Sequence, residues 1–139
     1  MITCSRYHDF SAGHRVVGHE NKCKYLHGHN YRVTFTCRAE ALDPLGRVID
    51  FGVMKTKLCN WLEDNWDHRM LMWSEDPYVK YPNLVNDPSI VQVPFNPTAE
   101  NMAEYLLRMV GLNQLSGTGV ELVEVEVSET RKCSARAKL

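Results

Sequence analysis

Apolar and polar residues alternate along Tyr31 to Arg38: Tyr31, Val33, Phe35 and Cys37 interleave with Arg32, Thr34, Thr36 and Arg38. That period of two predicts a half-buried strand. A second strand is predicted over Val120 to Ser128, where Val123, Val125 and Val127 alternate with Glu124 and Glu126, and a shorter one places Cys133, Ala135 and Ala137 on one side. Ile2 to Phe10 is a weaker strand candidate. Helical spacing marks two further segments. Met54, Leu58, Trp61, Leu62 and Asn65 follow the Gly52 break, and Met102, Leu106, Met109 and Val110 make a stripe behind Asn96-Pro97. Asn96 and Pro97 there read as a cap and a first-turn proline, and Gly111 as the C′ residue. Trp73 to Pro94, with four prolines, reads as irregular apart from a possible short strand at Ile90–Val93. The order strand, strand, helix, helix, strand, strand predicts an α+β fold, an antiparallel four-stranded sheet with two helices on one face.

Length and composition narrow the class. The 139 residues suit a single domain over 1–139, and 44% hydrophobic with 24% charged residues excludes a disordered tail. A net charge of -1 argues against a non-specific nucleic-acid binder. No run approaches the ~18 apolar residues of a membrane span, and no basic segment precedes an apolar one near Met1, so neither a membrane nor a secretion signal is expected. The five cysteines form no CxxC pair and read as reduced thiols of a cytoplasmic protein.

The chemistry concentrates in the histidines, four of which lie between His14 and His29. His27 and His29 share a strand face if the Tyr31 strand extends backwards, with Gly28 leaving no side chain between them. Two imidazoles on one face can bind one metal, and His14, just past the first strand, is the natural third donor. Three neutral imidazoles with an open position suit a catalytic Zn2+. On the residues alone, His19 in place of His14, Cys23 as a closing fourth ligand, and plain packed histidines all stay open. Cys23 stands among Asn21, Lys22, Lys24 and histidines, a setting that favours the thiolate form, and a reactive cysteine and an inert buried thiol both stay open. Asp67-His68 offers a carboxylate beside an imidazole, although sequence neighbours ordinarily point apart and a polar helix end is the plainer reading. Glu129 has the parity of Val127, so an unbroken strand carries its carboxylate onto the apolar face, where a ligand with paired N–H donors would account for it; a strand ending at Ser128 puts it in a turn instead.

Six segments in order resemble the 6-pyruvoyltetrahydropterin synthase / 6-carboxytetrahydropterin synthase family of the tunnelling fold. They are Phe10-Ser11-Ala12-Gly13-His14, Cys23-x3-His27-Gly28-His29-Asn30-Tyr31, Ile49-Asp50-Phe51, Asp67-His68-x-x-Leu71, Pro97-Thr98-Ala99-Glu100-Asn101 and Glu129-Thr130. The resemblance implies His14, His27 and His29 as zinc ligands, Cys23 as the proton-transferring cysteine, and Asp67 and His68 as its relay partners, commonly from a neighbouring subunit. It implies Glu129 as the pterin anchor and Thr98 at the pterin edge. It further implies a β-barrel of subunits, usually a homo-hexamer built as a dimer of trimers, acting on 7,8-dihydroneopterin triphosphate. The Cys-x3-His-Gly-His spacer resembles the branch that releases acetaldehyde and triphosphate to give 6-carboxy-5,6,7,8-tetrahydropterin for queuosine synthesis; the alternatives are the pyruvoyl product and a non-catalytic zinc or pterin binder. The long stretch after Leu71 departs from the compact members of that branch.

Overall fold

The computed structural model describes residues 1–139. Strand β1 (Thr3–His14) pairs antiparallel along its whole length with β2 (His27–Ala39), from Thr3 opposite Arg38 to His14 opposite His27. The weak candidate over Ile2–Phe10 therefore continues to His14, because every even-numbered residue from Phe10 to His14 is buried. β3 (Arg69–Trp73) and β4 (Ile90–Val93) precede β5 (Val120–Ser128) and β6 (Ser134–Lys138). β5 pairs antiparallel with β2, and β6 with β5.

The sheet has six strands, in the order β4-β3-β1-β2-β5-β6, and not the four expected. β3 lies parallel to β1, with Ala12 opposite Arg69 and His14 opposite Leu71, and β4 lies parallel to β3. β3 escapes a period-two reading because Leu71 and Met72, which point to opposite faces, are both buried. The expected alternation in β5 also breaks: the register shifts opposite Thr36/Cys37, so Leu122 takes the core position that parity assigned to Val123. Val125 and Val127 keep theirs.

Two helical rods cover one face. The first, α1 (51–65), opens on Asp50, whose carboxylate accepts from the Gly52 amide, and contains a wide turn at Lys55–Cys59. The second, α2 (99–114), contains a wide turn at Leu106–Val110. In both wide turns the chain bonds five residues back, Asn60 N–H to Lys55 and Gly111 N–H to Leu106. Such a turn rotates the buried face, which explains why Met109 is 52% exposed while Leu107 is buried.

Both expected ends of α2 move. Thr98, not Asn96, is the N-cap, its hydroxyl oxygen accepting from the Asn101 amide at 3.1 Å. Asn96 is drawn away by a two-way pairing with the Val17 backbone, its Oδ1 accepting from Val17 N–H and its Nδ2 donating to Val17 O, both at 2.9 Å. Gly111 does not end the helix; its φ of -61° is helical and the rod continues to Gln114. Glycine stands there because a Cβ would collide with the Leu122 side chain. One continuous cluster of 25 buried residues joins the rods to the sheet, with Met54, Leu58, Leu62 and Trp66 packed against Phe10, Tyr31, Val33 and Phe35.

Candidate functional site

The β1–β2 ladder sets the histidines. His14 and His27 are cross-strand partners, and His29 sits opposite Ala12 on the same face. Between the two histidine rungs Gly13 faces Gly28, and the strands approach so closely that a Cβ on Gly28 would lie 3.2 Å from the Ala12 carbonyl. One nitrogen from each of His14, His27 and His29 falls within 4.8 Å of the others. His19 is outside this group; its Nδ1 accepts from the Asn21 amide in the β1–β2 connection. Cys23 is outside it as well.

The backbone fixes the tautomers. His14 Nδ1 lies 2.6 Å from the Pro97 carbonyl and His27 Nδ1 lies 2.7 Å from the Tyr25 carbonyl. A carbonyl only accepts, so both Nδ1 atoms carry the proton, and in the neutral form of each ring Nε2 presents the lone pair. Those two Nε2 atoms face each other at 3.0 Å, and His29 Nε2 is buried with no hydrogen-bond partner. Converging lone pairs and an orphaned buried nitrogen are a donor set that a divalent cation satisfies, with the two carbonyls as the outer partners such imidazoles require. Burial chiefly, with the neighbouring imidazoles adding, pushes His14 down to about 4 against the Pro97 hydrogen bond, and burial lowers His29 too. Both rings are therefore neutral near pH 7, the form that binds metal.

Glu129 arrives by a compromise between its two expected placements. β5 ends at Ser128, yet the Glu129 amide still donates to the Cys133 carbonyl at 3.2 Å, so the chain keeps its course and the side chain keeps the parity of Val127. Its carboxylate oxygens stand 4.0 Å from His14 Nε2 and 3.8 Å from His29 Nε2. These are contacts across an open space between a carboxylate and neutral rings.

Tyr31, the last residue of the Cys23–Tyr31 segment, also borders the cluster. Its ring stacks on Phe10, edges toward His14 and His29, and buries its hydroxyl without a partner. Burial, reinforced by Glu129 and Cys23, pushes this phenol far above its ordinary range, which places both groups within electrostatic reach of it. Its parity with His27 and His29 was the signal available. Cys23 sits half-buried on a short turn, Lys22–Lys24, its carbonyl accepting from the Val16 amide at 2.7 Å. Thr98 follows the Pro97 that holds His14, and its side-chain oxygen is engaged as the helix cap.

Asp67 and His68 make the direct contact that adjacency disfavours, with His68 Nδ1 2.8 Å from Asp67 Oδ2. They are not brought to the histidine cluster. The pair is tied to Ser11, whose amide donates to Asp67 and whose carbonyl accepts from the His68 amide, and His68 lines a groove with Gly13, Gly28, His29 and Ser89. Partial burial raises the Asp67 carboxyl, but the hydrogen bonds from His68 and the Ser11 amide outweigh it and hold the group below its ordinary range.

Residues 3–138 match the family model described as 6-pyruvoyl tetrahydropterin synthase. A 6-carboxy-5,6,7,8-tetrahydropterin synthase of Rickettsia typhi is 37% identical over 134 residues, covering 96% of this chain and 97% of its own. A probable 6-carboxy-5,6,7,8-tetrahydropterin synthase of Halobacterium salinarum is 34% identical over 126 residues, covering 90% and 79%. Among solved structures, an uncharacterized protein of Wolinella succinogenes superposes with a TM-score of 0.86 at 25% identity, covering 99% of this chain and 97% of that one. The 6-pyruvoyl tetrahydropterin synthase of Caenorhabditis elegans gives 0.69 at 26%, covering 99% and 95%. Fold and site define an α+β protein whose central ladder gathers three histidines fit to hold a metal ion. The chain belongs to the 6-pyruvoyl tetrahydropterin synthase family. No helix is long and apolar enough to cross a membrane.

Proposed function

We propose that this protein is a zinc-dependent 6-carboxy-5,6,7,8-tetrahydropterin synthase, converting 7,8-dihydroneopterin triphosphate with release of acetaldehyde and triphosphate. The observation that carries the reading is the pair of Nε2 lone pairs at 3.0 Å, with the unpartnered His29 Nε2 beside them and the Glu129 carboxylate within 4.0 Å. The names of the relatives at 34–37% identity favour the carboxy product over the pyruvoyl one.

His14, His27 and His29 would hold Zn2+, which when bound supplies Lewis-acid polarisation of substrate side-chain hydroxyls. Glu129 accepts hydrogen bonds from the pterin ring N–H and amino groups, and this fixes where the side chain falls relative to the histidines. Thr98 borders the same end of the sheet and contacts the pterin edge. Cys23, as thiolate, takes a proton from the substrate side chain. Asp67 holds the His68 imidazole in place through its 2.8 Å hydrogen bond, and the pair exchanges the proton with Cys23. The pair is not part of its own chain's three-histidine cluster, and in this reading a second copy of the chain brings its pair to complete the site. A barrel of subunits, a homo-hexamer of two trimers, meets that need, and each chain enters it as one domain. A small-molecule pathway enzyme of this kind works in the cytoplasm, within queuosine synthesis.

The test is incubation of zinc-loaded protein with 7,8-dihydroneopterin triphosphate, followed by mass spectrometry and trapping of acetaldehyde. A carboxytetrahydropterin with equimolar acetaldehyde is expected. A pyruvoyl product without acetaldehyde would replace the carboxy assignment, and unchanged substrate with folded, zinc-loaded protein would leave a binding module.

A further inference from the structure

The connection between β1 and β2 carries Cys23, yet none of its residues from 15 to 26 is buried. Core packing does not hold this segment; polar ties do, the Asn96 pairing with Val17 among them, and the densest set starts from Arg15, the residue after His14. Its Nε and Nη2 donate to the two oxygens of Asp76 at 2.6 and 2.8 Å, a side-on fork. The third nitrogen, Nη1, donates to the Lys24 carbonyl at 3.1 Å, one residue past Cys23. The flat guanidinium lies 3.7 Å over the Tyr78 ring. Asp76 has no exposed side chain, accepts in addition from the Tyr78 amide at 2.8 Å, and caps the Pro77–Lys80 turn.

A solvent-exposed ion pair fixes little, because both side chains roam. A buried fork stacked on an aromatic ring has one geometry. The stretch after β3, read from sequence as irregular, thus ends up gripping the turn that carries the thiol. Cys23 is held from both sides: its own carbonyl by the Val16 amide, and the next carbonyl by Arg15.

We propose that Arg15 and Asp76 are positioning residues that set the place of the Cys23 thiol, and that the Asp76–Tyr78 segment is present to lock the Cys23 turn. The proposal rests on the reading of Cys23 as the proton-transferring group.

The test uses full-length, zinc-loaded Asp76→Asn and Arg15→Lys proteins, and an Arg15→Met/Asp76→Leu double variant. The double variant replaces the buried pair by apolar groups, a change that commonly preserves folding. Three quantities are read: the iodoacetamide alkylation rate of Cys23 against the exposed Cys133 by peptide mapping, kcat and KM on 7,8-dihydroneopterin triphosphate, and zinc per chain. We expect the Cys23 rate to shift several-fold relative to Cys133 and kcat to fall roughly 10- to 100-fold, with KM and zinc content near the parent's. Folded, zinc-loaded variants with the parent's Cys23 alkylation rate and kcat overturn the proposal, since a purely structural pair would lower only the melting temperature. If the parent protein itself turns over no substrate, the functional reading fails, and the alkylation rates alone decide the role of the pair.

Discussion

Asp67 and His68 touch through their side chains, Oδ2 to Nδ1 at 2.8 Å, because His68 is the one non-glycine residue with positive φ, at 58°. Adjacent side chains on regular backbone diverge. The left-handed turn at His68 swings the imidazole back over the carboxylate, and the two Ser11 backbone hydrogen bonds keep it there. A strained residue held by its surroundings is a mark of function more than of stability.

Asp67→Asn removes the charge, and with Oδ1 kept by the Ser11 amide it puts an NH2 donor where Oδ2 accepts from His68. A fall in kcat of roughly 10²- to 10⁴-fold is expected, with zinc content unchanged because the pair stands apart from the three histidines. The depressed Asp67 carboxyl makes its contribution fully present above its unfolded value of about 3.9 and lost only as pH falls through its lower folded value. Asp67 therefore shapes no part of a rate profile above about pH 5. Co-refolding inactive Cys23→Ser with inactive Asp67→Asn chains should regain turnover, since thiol and pair would come from different copies. No regain would place both groups of a site in the same chain.

His68→Gly tests the strain directly. Glycine adopts φ near 60° freely, so the variant should be more stable by about 1 kcal/mol in urea titration while losing turnover. A less stable variant would show that the imidazole holds the turn and is not merely tolerated there.

Much of this was legible beforehand, and the exceptions have local causes. The β2 alternation and the two helices stand where their periods placed them, and His14, His27 and His29 meet because residues two apart share a face and one register joins the strands. β3 was hidden by being buried on both faces, Val123 by a bulge, and Met109 by a wide helical turn. The Arg15–Asp76 fork spans 61 residues and leaves no local pattern at either end. The Asp67–His68 contact depends on one backbone angle that composition does not announce.

Cys37 governs an alkaline limit. It is completely buried, and burial, with Cys4 adding, pushes its thiol up to about 12. A folded value raised above the unfolded one of about 8.5 gives a contribution that is whole below pH 8.5 and lost as pH rises toward the folded value. Stability in reducing buffer should thus decline by roughly 1 kcal/mol per pH unit between pH 9 and 11 from this group alone, and burial of Cys59 works in the same direction. Cys37→Ala should be less stable at pH 7 but flatter across that range. A parent protein equally stable at pH 8 and pH 10.5 would refute the assignment.

Metal binding and folding should separate at His29. Its Nε2 has no partner in the protein, so truncation removes no hydrogen bond that the fold depends on. His14 and His27 are instead anchored to the Pro97 and Tyr25 carbonyls, and the ladder under all three is complete without a metal. Chelated protein should therefore remain folded. Zinc at a hundredfold excess over its dissociation constant should add about 2.7 kcal/mol to stability. His29→Ala should lose that increment and its zinc, while its chelated form unfolds close to the chelated parent. If the chelated variant falls as far as the zinc-loaded one, His29 serves packing, and the three nitrogens are not a metal site.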